Sequence, residues 1–183
     1  MRASFWCALA AQVVFASGLA VCVATVPSYV LGEIEGGVSN YGSDRRTVVP
    51  FTVSFGGNAA LIGGAAGAVS TMSSYRNLKT LCLSVLAFLL SSVLVSAWVY
   101  KRGPRLRTLH FGCGIVLLGF EAAFGLWLAI SVRPAWFTWT LWAVVIAADV
   151  LCVLALERVY QKLFVGQVMA NVAFGVLLLI ALA

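Results

Sequence analysis

Over residues 5–26 the chain carries no charge and one strongly polar side chain, Gln12, and five later stretches, 48–69, 81–100, 111–130, 138–156 and 166–183, are nearly as apolar. A helix needs about 20 such residues to cross about 30 Å of hydrocarbon. The expected fold is therefore all-α: a polytopic membrane protein whose six-transmembrane-helix bundle forms a single transmembrane domain over residues 1–183, with its longest loop at 27–47. Composition agrees, because only 10% of the residues are charged and 62% are hydrophobic, whereas soluble domains carry about 25% charged residues. Hydrophobicity is continuous within each stretch and does not alternate, which excludes a transmembrane β-barrel. The first run reads as a retained helix, since it is longer than the core of a cleaved signal peptide.

Two carboxylates stand inside these runs, Glu121 and Asp149. A charge at bilayer depth costs a few kcal/mol at least, so such residues are functional candidates by default. Counted from the turn between their helices, Glu121 lies ten residues before Ser131 and Asp149 eleven after Thr138. At 1.5 Å per residue that places them about 15 and 16.5 Å from the same face. The sequence holds no Lys, Arg or His at this depth to pair with them. Two facing carboxyls can share or relay a proton, bind a cation or receive a polar headgroup. Alternatively, each hydrogen-bonds to a helix backbone or to Asn58 and contributes about 1 kcal/mol to the bundle.

Other polar residues fall into register with this pair. Asn58 lies near mid-bilayer on the second helix, four residues after Ser54, and Gln167, Asn171 and Gly175 recur every fourth residue on the sixth, the spacing of one helix face. An interior lined by Asn58, Glu121, Asp149 and Asn171 is the expected ligand-binding pocket. Gly63 and Gly67 form a GxxxG step, which lets helices approach closely, and Gly114 and Gly125 are expected to do the same on the Glu121 face. Gln12 reads as interhelical glue. Trp98 and Tyr100, and the belt of Trp136, Trp139 and Trp142 with Arg133 and Pro134, read as interfacial anchors.

The net charge of +6 does not point to a nucleic-acid partner, because the basic residues are scattered over loops and form no aromatic-interleaved patch. Loops after the first, third and fifth helices hold Arg45, Arg46, Lys101, Arg102, Arg105, Arg107, Arg158 and Lys162, and the other side holds Arg2, Arg76, Lys79 and Arg133. That asymmetry favours an outside N-terminus in a multi-pass protein of the plasma or cell membrane, although Arg2 at the start argues for the reverse. The cluster Lys101, Arg102, Arg105 and Arg107 is the expected contact for anionic lipid. Membrane lipids are the expected partners, together with another membrane protein or a second copy of the chain.

The 27–47 connection holds Gly32, Gly36, Gly37 and Gly42 and half of the acidic residues. Connections of this length in compact bundles are often functional, which makes Ser39, Asn40, Tyr41, Arg45 and Arg46 the loop candidates. Val38-Ser39-Asn40-Tyr41-Gly42 after the first helix, followed by the small-residue-rich opening of the second (FTVSFGGNAALIGG), resembles the "ISxxG" arrangement of the bacterial and archaeal six-helix family called domain of unknown function 998. It is also similar to DRAM-type membrane proteins of eukaryotes. The resemblance implies a six-helix bundle with its first loop packed over it, and no assigned chemistry. It also implies an outward loop, against the charge count.

No metal and no cofactor is expected. His110 is the only histidine, too few for zinc, di-iron or bis-histidine haem sites. The five cysteines all lie within spans with no CxxC pair and read as packing residues. Walker, HExxH and GxSxG motifs are absent from the sequence, so no catalytic residue is assigned and a conventional soluble-type enzyme is not expected. The first functional reading is a membrane protein that binds a lipid or small amphiphile in a central polar pocket, or an accessory subunit of a membrane complex. The alternatives are a proton- or ion-coupled small transporter using Glu121 and Asp149, and an intramembrane enzyme with Cys113 or Cys152 as nucleophile.

Overall fold

A computed structural model describes residues 3–31, 37–69, 76–132, 136–156 and 163–183. Arg2, Arg133, Pro134, Arg158 and Lys162, used above for topology and for the aromatic belt, lie outside the described residues. Six long helices follow in order: α1 (Ala3–Thr25), α4 (Val48–Val69), α5 (Arg76–Ala97), α6 (Pro104–Ser131), α7 (Trp136–Leu156) and α8 (Leu163–Leu182). Between α1 and α4 lie two single-turn helices, α2 (Ser28–Leu31) and α3 (Asn40–Ser43), and a 3-10 turn at Gly37–Ser39. No strand occurs among the described residues. Six helices are long and apolar enough to cross a membrane. The chain is an integral, multi-pass membrane protein built as an all-α six-helix bundle.

Two boundaries differ from expectation for local reasons. Within the 27–47 connection, expected as the longest loop, the described residues 28–31 and 37–43 form single helical turns. The fourth span begins at Pro104, not at residue 111, and α6 runs 28 residues, about 42 Å at 1.5 Å per residue. Proline at the first helical position has its φ preset and lacks only an N–H that would have no intrahelical partner. Arg105 and Arg107 therefore ride on the first turns of α6, while Lys101 and Arg102 sit in a 3-10 turn, Tyr100–Arg102.

The most extensive contact is α1 on α4, followed by α4 on α5 and α7 on α8; α6 touches α5, α7 and α8 and so joins the two groups. Glycine explains the first of these. A Cβ on Gly18 would stand 2.6 Å from the Ser54 Cβ and 3.0 Å from the Pro50 carbonyl oxygen, and one on Gly57 would stand 2.7 Å from Val14. Ser54, buried in that seam, donates its hydroxyl to the Phe15 carbonyl at 2.8 Å. The expected GxxxG step is not where the backbones meet. The nearest atom to a Cβ on Gly63 is 3.9 Å away, and Gly67 has none within 4 Å. Missing side chains permit an approach without requiring one, and Gly18 sets its level.

Gly125 packs against Trp142, Leu177 and Phe174, but a Cβ on Gly114 would meet nothing within 4 Å, so of the two only Gly125 brings neighbours close. Two expected anchors also turn inward. Trp142 donates its indole N–H to the Ala122 carbonyl at 3.0 Å, tying α7 to α6. Tyr100 is buried, whereas Trp136 and Trp139 are exposed. Replacing Gly18 by Leu should lower bundle stability by roughly 1–3 kcal/mol through overpacking, while Gly67→Leu should leave it nearly unchanged. Unfolding midpoints in one detergent compare the two, and equal losses would show that the seam is placed wrongly.

Candidate functional site

Two of the cavities formed by the described residues bring candidate side chains together, with different chemistry. The inner one is bounded by α1, α4, α5, α6 and α8, and its polar lining is Gln12, Asn58, Glu121 and Asn171, closed by apolar walls that include Ile62 and Phe174. Glu121 is 1% exposed and Asn58 4%. Glu121 Oε2 and Asn58 Oδ1 have no hydrogen-bond partner. The room for a water centre is about 10 Å³, near the minimum that one water molecule needs.

Three of the four residues expected to line one interior are thus brought together: Asn58, Glu121 and Asn171. Asp149 does not line that cavity. It is half-buried on α7, and both of its carboxyl oxygens are unpartnered. Gln12 completes the set in its place. Its amide lies against Gly175, where a Cβ would collide with the Gln12 Oε1, so the glycine admits the side chain from α1. The sequence signal for this was the small residue at the end of the Gln167, Asn171, Gly175 stripe.

The outer cavity is a partly open, mostly apolar cleft running along α6, beneath the 3-10 turn at Gly37–Ser39. Its polar lining is Ser39, His110, Gln167 and Asn171, and Gly114 and the exposed Ile115 form part of its wall. It offers about 60 Å³ to a water centre. Asn171 lines both cavities. His110 is buried and its Nδ1 is hydrogen-bonded to Ser96 Oγ at 2.8 Å, a pairing that sequence spacing did not suggest. The guanidinium of Arg107 stands over the ring of Phe111 at 5.5 Å, and Phe111 is itself part of the cleft wall.

The connection between α1 and α4 caps this end. Gly37 has φ 51°, a left-handed conformation that glycine adopts without strain. A side chain there would also collide with Gln167 Oε1. That same oxygen accepts the Val38 N–H at 2.8 Å, so Gln167 is a tether for the cap as well as a cleft residue. Among the loop candidates, Asn40 and Tyr41 are fully buried. Asn40 Oδ1 accepts the Tyr100 hydroxyl, and the Tyr41 hydroxyl donates to the Val26 carbonyl at 3.1 Å. Burial pushes the Tyr41 phenol up to about 12. Ser39 faces the cleft, while Arg45 and Arg46 are exposed.

Asp44 fastens the rim of the cap. It accepts the Arg46 backbone N–H at 2.9 Å, its guanidinium at 3.1 and 2.7 Å, and the Tyr29 hydroxyl at 2.9 Å. The Arg46 guanidinium holds the Asp44 carboxyl well below the usual carboxylate range. A folded-state value below the unfolded one contributes stability that is present above the unfolded value, about pH 4, and is lost as pH falls through the folded value. Acidification below about pH 4 should therefore speed hydrogen exchange at the Tyr41 and Gly42 amides, and Asp44→Asn should show that faster exchange already at pH 7. Exchange insensitive to both changes would mean that Asp44 does not hold the cap.

Comparisons with protein-family models, with curated proteins and with solved structures give no match to this chain.

Proposed function

We propose that this membrane protein binds one anionic amphiphile, such as a lipid or a fatty acid, with its chain in the cleft along α6 and its headgroup at the basic end. The observation that carries the reading is the outer cleft: apolar walls gathering the few polar groups of Ser39, His110, Gln167 and Asn171 beneath a folded cap. Binding sites for small molecules have this constitution, a largely apolar concavity with a small number of placed polar groups. Two further features support an amphiphile over a water-soluble ligand. Ile115, 53% exposed, stands at the cleft wall in mid-helix, so a chain can enter sideways from the surrounding hydrocarbon. Arg107 over Phe111 places a cation beside that wall, with Lys101, Arg102 and Arg105 at the same end of the bundle. Cations there attract anionic headgroups, each contributing about 1 kcal/mol near the surface.

The test uses a variant that fills the cleft without disturbing its walls. A Cβ at Gly114 meets nothing within 4 Å, so Gly114→Leu should fold normally and occupy the space. Native mass spectrometry of protein extracted gently from its own membrane should show a stoichiometric acidic small molecule on the wild-type chain and on Asp149→Asn, and none on Gly114→Leu. Occupancy unchanged in Gly114→Leu would overturn the proposal. A chain carrying another polypeptide and no small molecule would point to the accessory-subunit role instead.

A further inference from the structure

We propose that the inner cavity is a binding site for a dehydrated alkali-metal cation, Na⁺ or K⁺, held by the Glu121 carboxylate and the side-chain carbonyl oxygens of Asn58, Gln12 and Asn171. Four oxygen-bearing side chains from four different helices converge on one space the size of a water molecule. Asn171 uses its amide N–H on the Gln167 carbonyl at 2.8 Å, which leaves its carbonyl oxygen as the acceptor. Asn58 Oδ1 and Glu121 Oε2 are acceptors with no donor, on side chains at least nine-tenths buried. These two unpartnered oxygens, deep in a low-dielectric interior, are stabilised by a positive charge placed between them.

The chemistry of the lining narrows the class of ion. No thiol and no imidazole lines the cavity, so its donors are hard oxygens, which suit alkali and alkaline-earth ions over zinc, copper or iron. One carboxylate balances one positive charge, and that favours a monovalent ion. The charged groups on the elements packed around the site leave that balance in place. Helices α1, α4 and α8 carry no charged residue. On α5, Lys79 donates to the Ala181 carbonyl at 3.3 Å, and Ala181 is ten residues beyond Asn171, about 15 Å along the helix. On α6, Arg107 and His110 lie fourteen and eleven residues before Glu121, about 21 and 16.5 Å away. Arg76 is ten residues before Leu86 on α5 and Arg105 sixteen before Glu121 on α6, about 15 and 24 Å along those helices, and Asp149 on α7 does not line the cavity.

The experiment is thermal unfolding of the full chain in lipid nanodiscs, titrating NaCl or KCl into choline chloride at constant ionic strength and fixed pH. A cation that binds only the folded state raises the midpoint saturably. The expected result is saturable stabilisation by Na⁺ or K⁺, with the smaller apparent Kd identifying the ion, its loss in Glu121→Gln, and an apparent Kd at least tenfold weaker in Gln12→Leu. Val49→Ala, at a 69% exposed position of α4, should titrate as the wild type does. Identical midpoints in all three chlorides would overturn the proposal. So would a cation effect that survives Glu121→Gln, or a midpoint that responds to pH in choline and to neither alkali ion, which would assign the site to a proton. Where Glu121→Gln fails to fold, Gln12→Leu and Asn58→Leu decide, and an unchanged apparent Kd in either folded variant overturns the site. The cation titration reads the inner cavity and mass spectrometry reads the outer cleft, so this proposal and that of the outer cleft can fail separately.

Discussion

Helices surrounded by hydrocarbon gain little from hiding apolar side chains against one another, since lipid tails are equally apolar. The bundle therefore depends on the few places where backbones come close or polar groups meet. The seam of Gly18 on Ser54 and Gly57 on Val14 belongs to the most extensive of these contacts, and it joins α1 to α4 as one body to which α5 adds. At the other side, a Cβ on Gly166 would stand 2.9 Å from the Cys152 Sγ and 3.2 Å from the Ala148 carbonyl oxygen, which brings α8 onto α7. Helix α6 has no comparable glycine seam over residues 104–119, where Cβ atoms on Gly112, Gly114 and Gly119 would meet nothing within 4 Å. It is held near its far end by Trp142 and Gly125. The outer cleft follows along that loosely flanked stretch, and the inner cavity lies beside Glu121.

The described part of the cap over this end shows how a buried connection finds hydrogen-bond partners. Buried N–H and C=O groups must be paired, and the segment draws its partners from several helices. Val38 N–H goes to Gln167 on α8, Asn40 accepts from Tyr100 after α5, and Thr47 donates to the Tyr41 carbonyl at 2.8 Å. Lys101 stands over the rings of Tyr29 and Tyr100 at 5.5 and 5.6 Å. Basic residue and cap thus support each other, which gives Lys101 a structural role beside any role in topology.

Much of this was legible from residue type and spacing, and the misses have a common cause. Six spans follow from length and hydropathy, and the depth of Asn58, Glu121 and Asn171 follows from helical rise, because both depend on position along one helix. Azimuth does not. Asp149 shares the depth of Glu121 but stands on α7 outside the inner cavity, whereas Gln12 on α1 reaches into it through the gap left by Gly175. Tyr100 and Trp142 were expected at the headgroups because aromatic residues at helix ends belong there on average. Each turned inward because a specific acceptor, Asn40 or the Ala122 carbonyl, lies within reach. Such partners sit far away in sequence, and no local pattern marks them.

Asn171 occupies the one position that links the two cavities. Its side chain lines the inner space, its amide N–H is fixed to the Gln167 carbonyl, and Gln167 in turn holds the cap at Val38. A cation drawing on the Asn171 carbonyl would polarise the amide and strengthen its hydrogen bond to Gln167, as happens in any chain of hydrogen bonds in a low-dielectric interior. That firms the cleft wall on which an amphiphile would rest. Coupling between two binding equilibria is reciprocal, so an amphiphile that orders Gln167 and Asn171 must favour the cation by the same factor. The two proposed sites, independent in how they are tested, would then be joined through a single carboxamide.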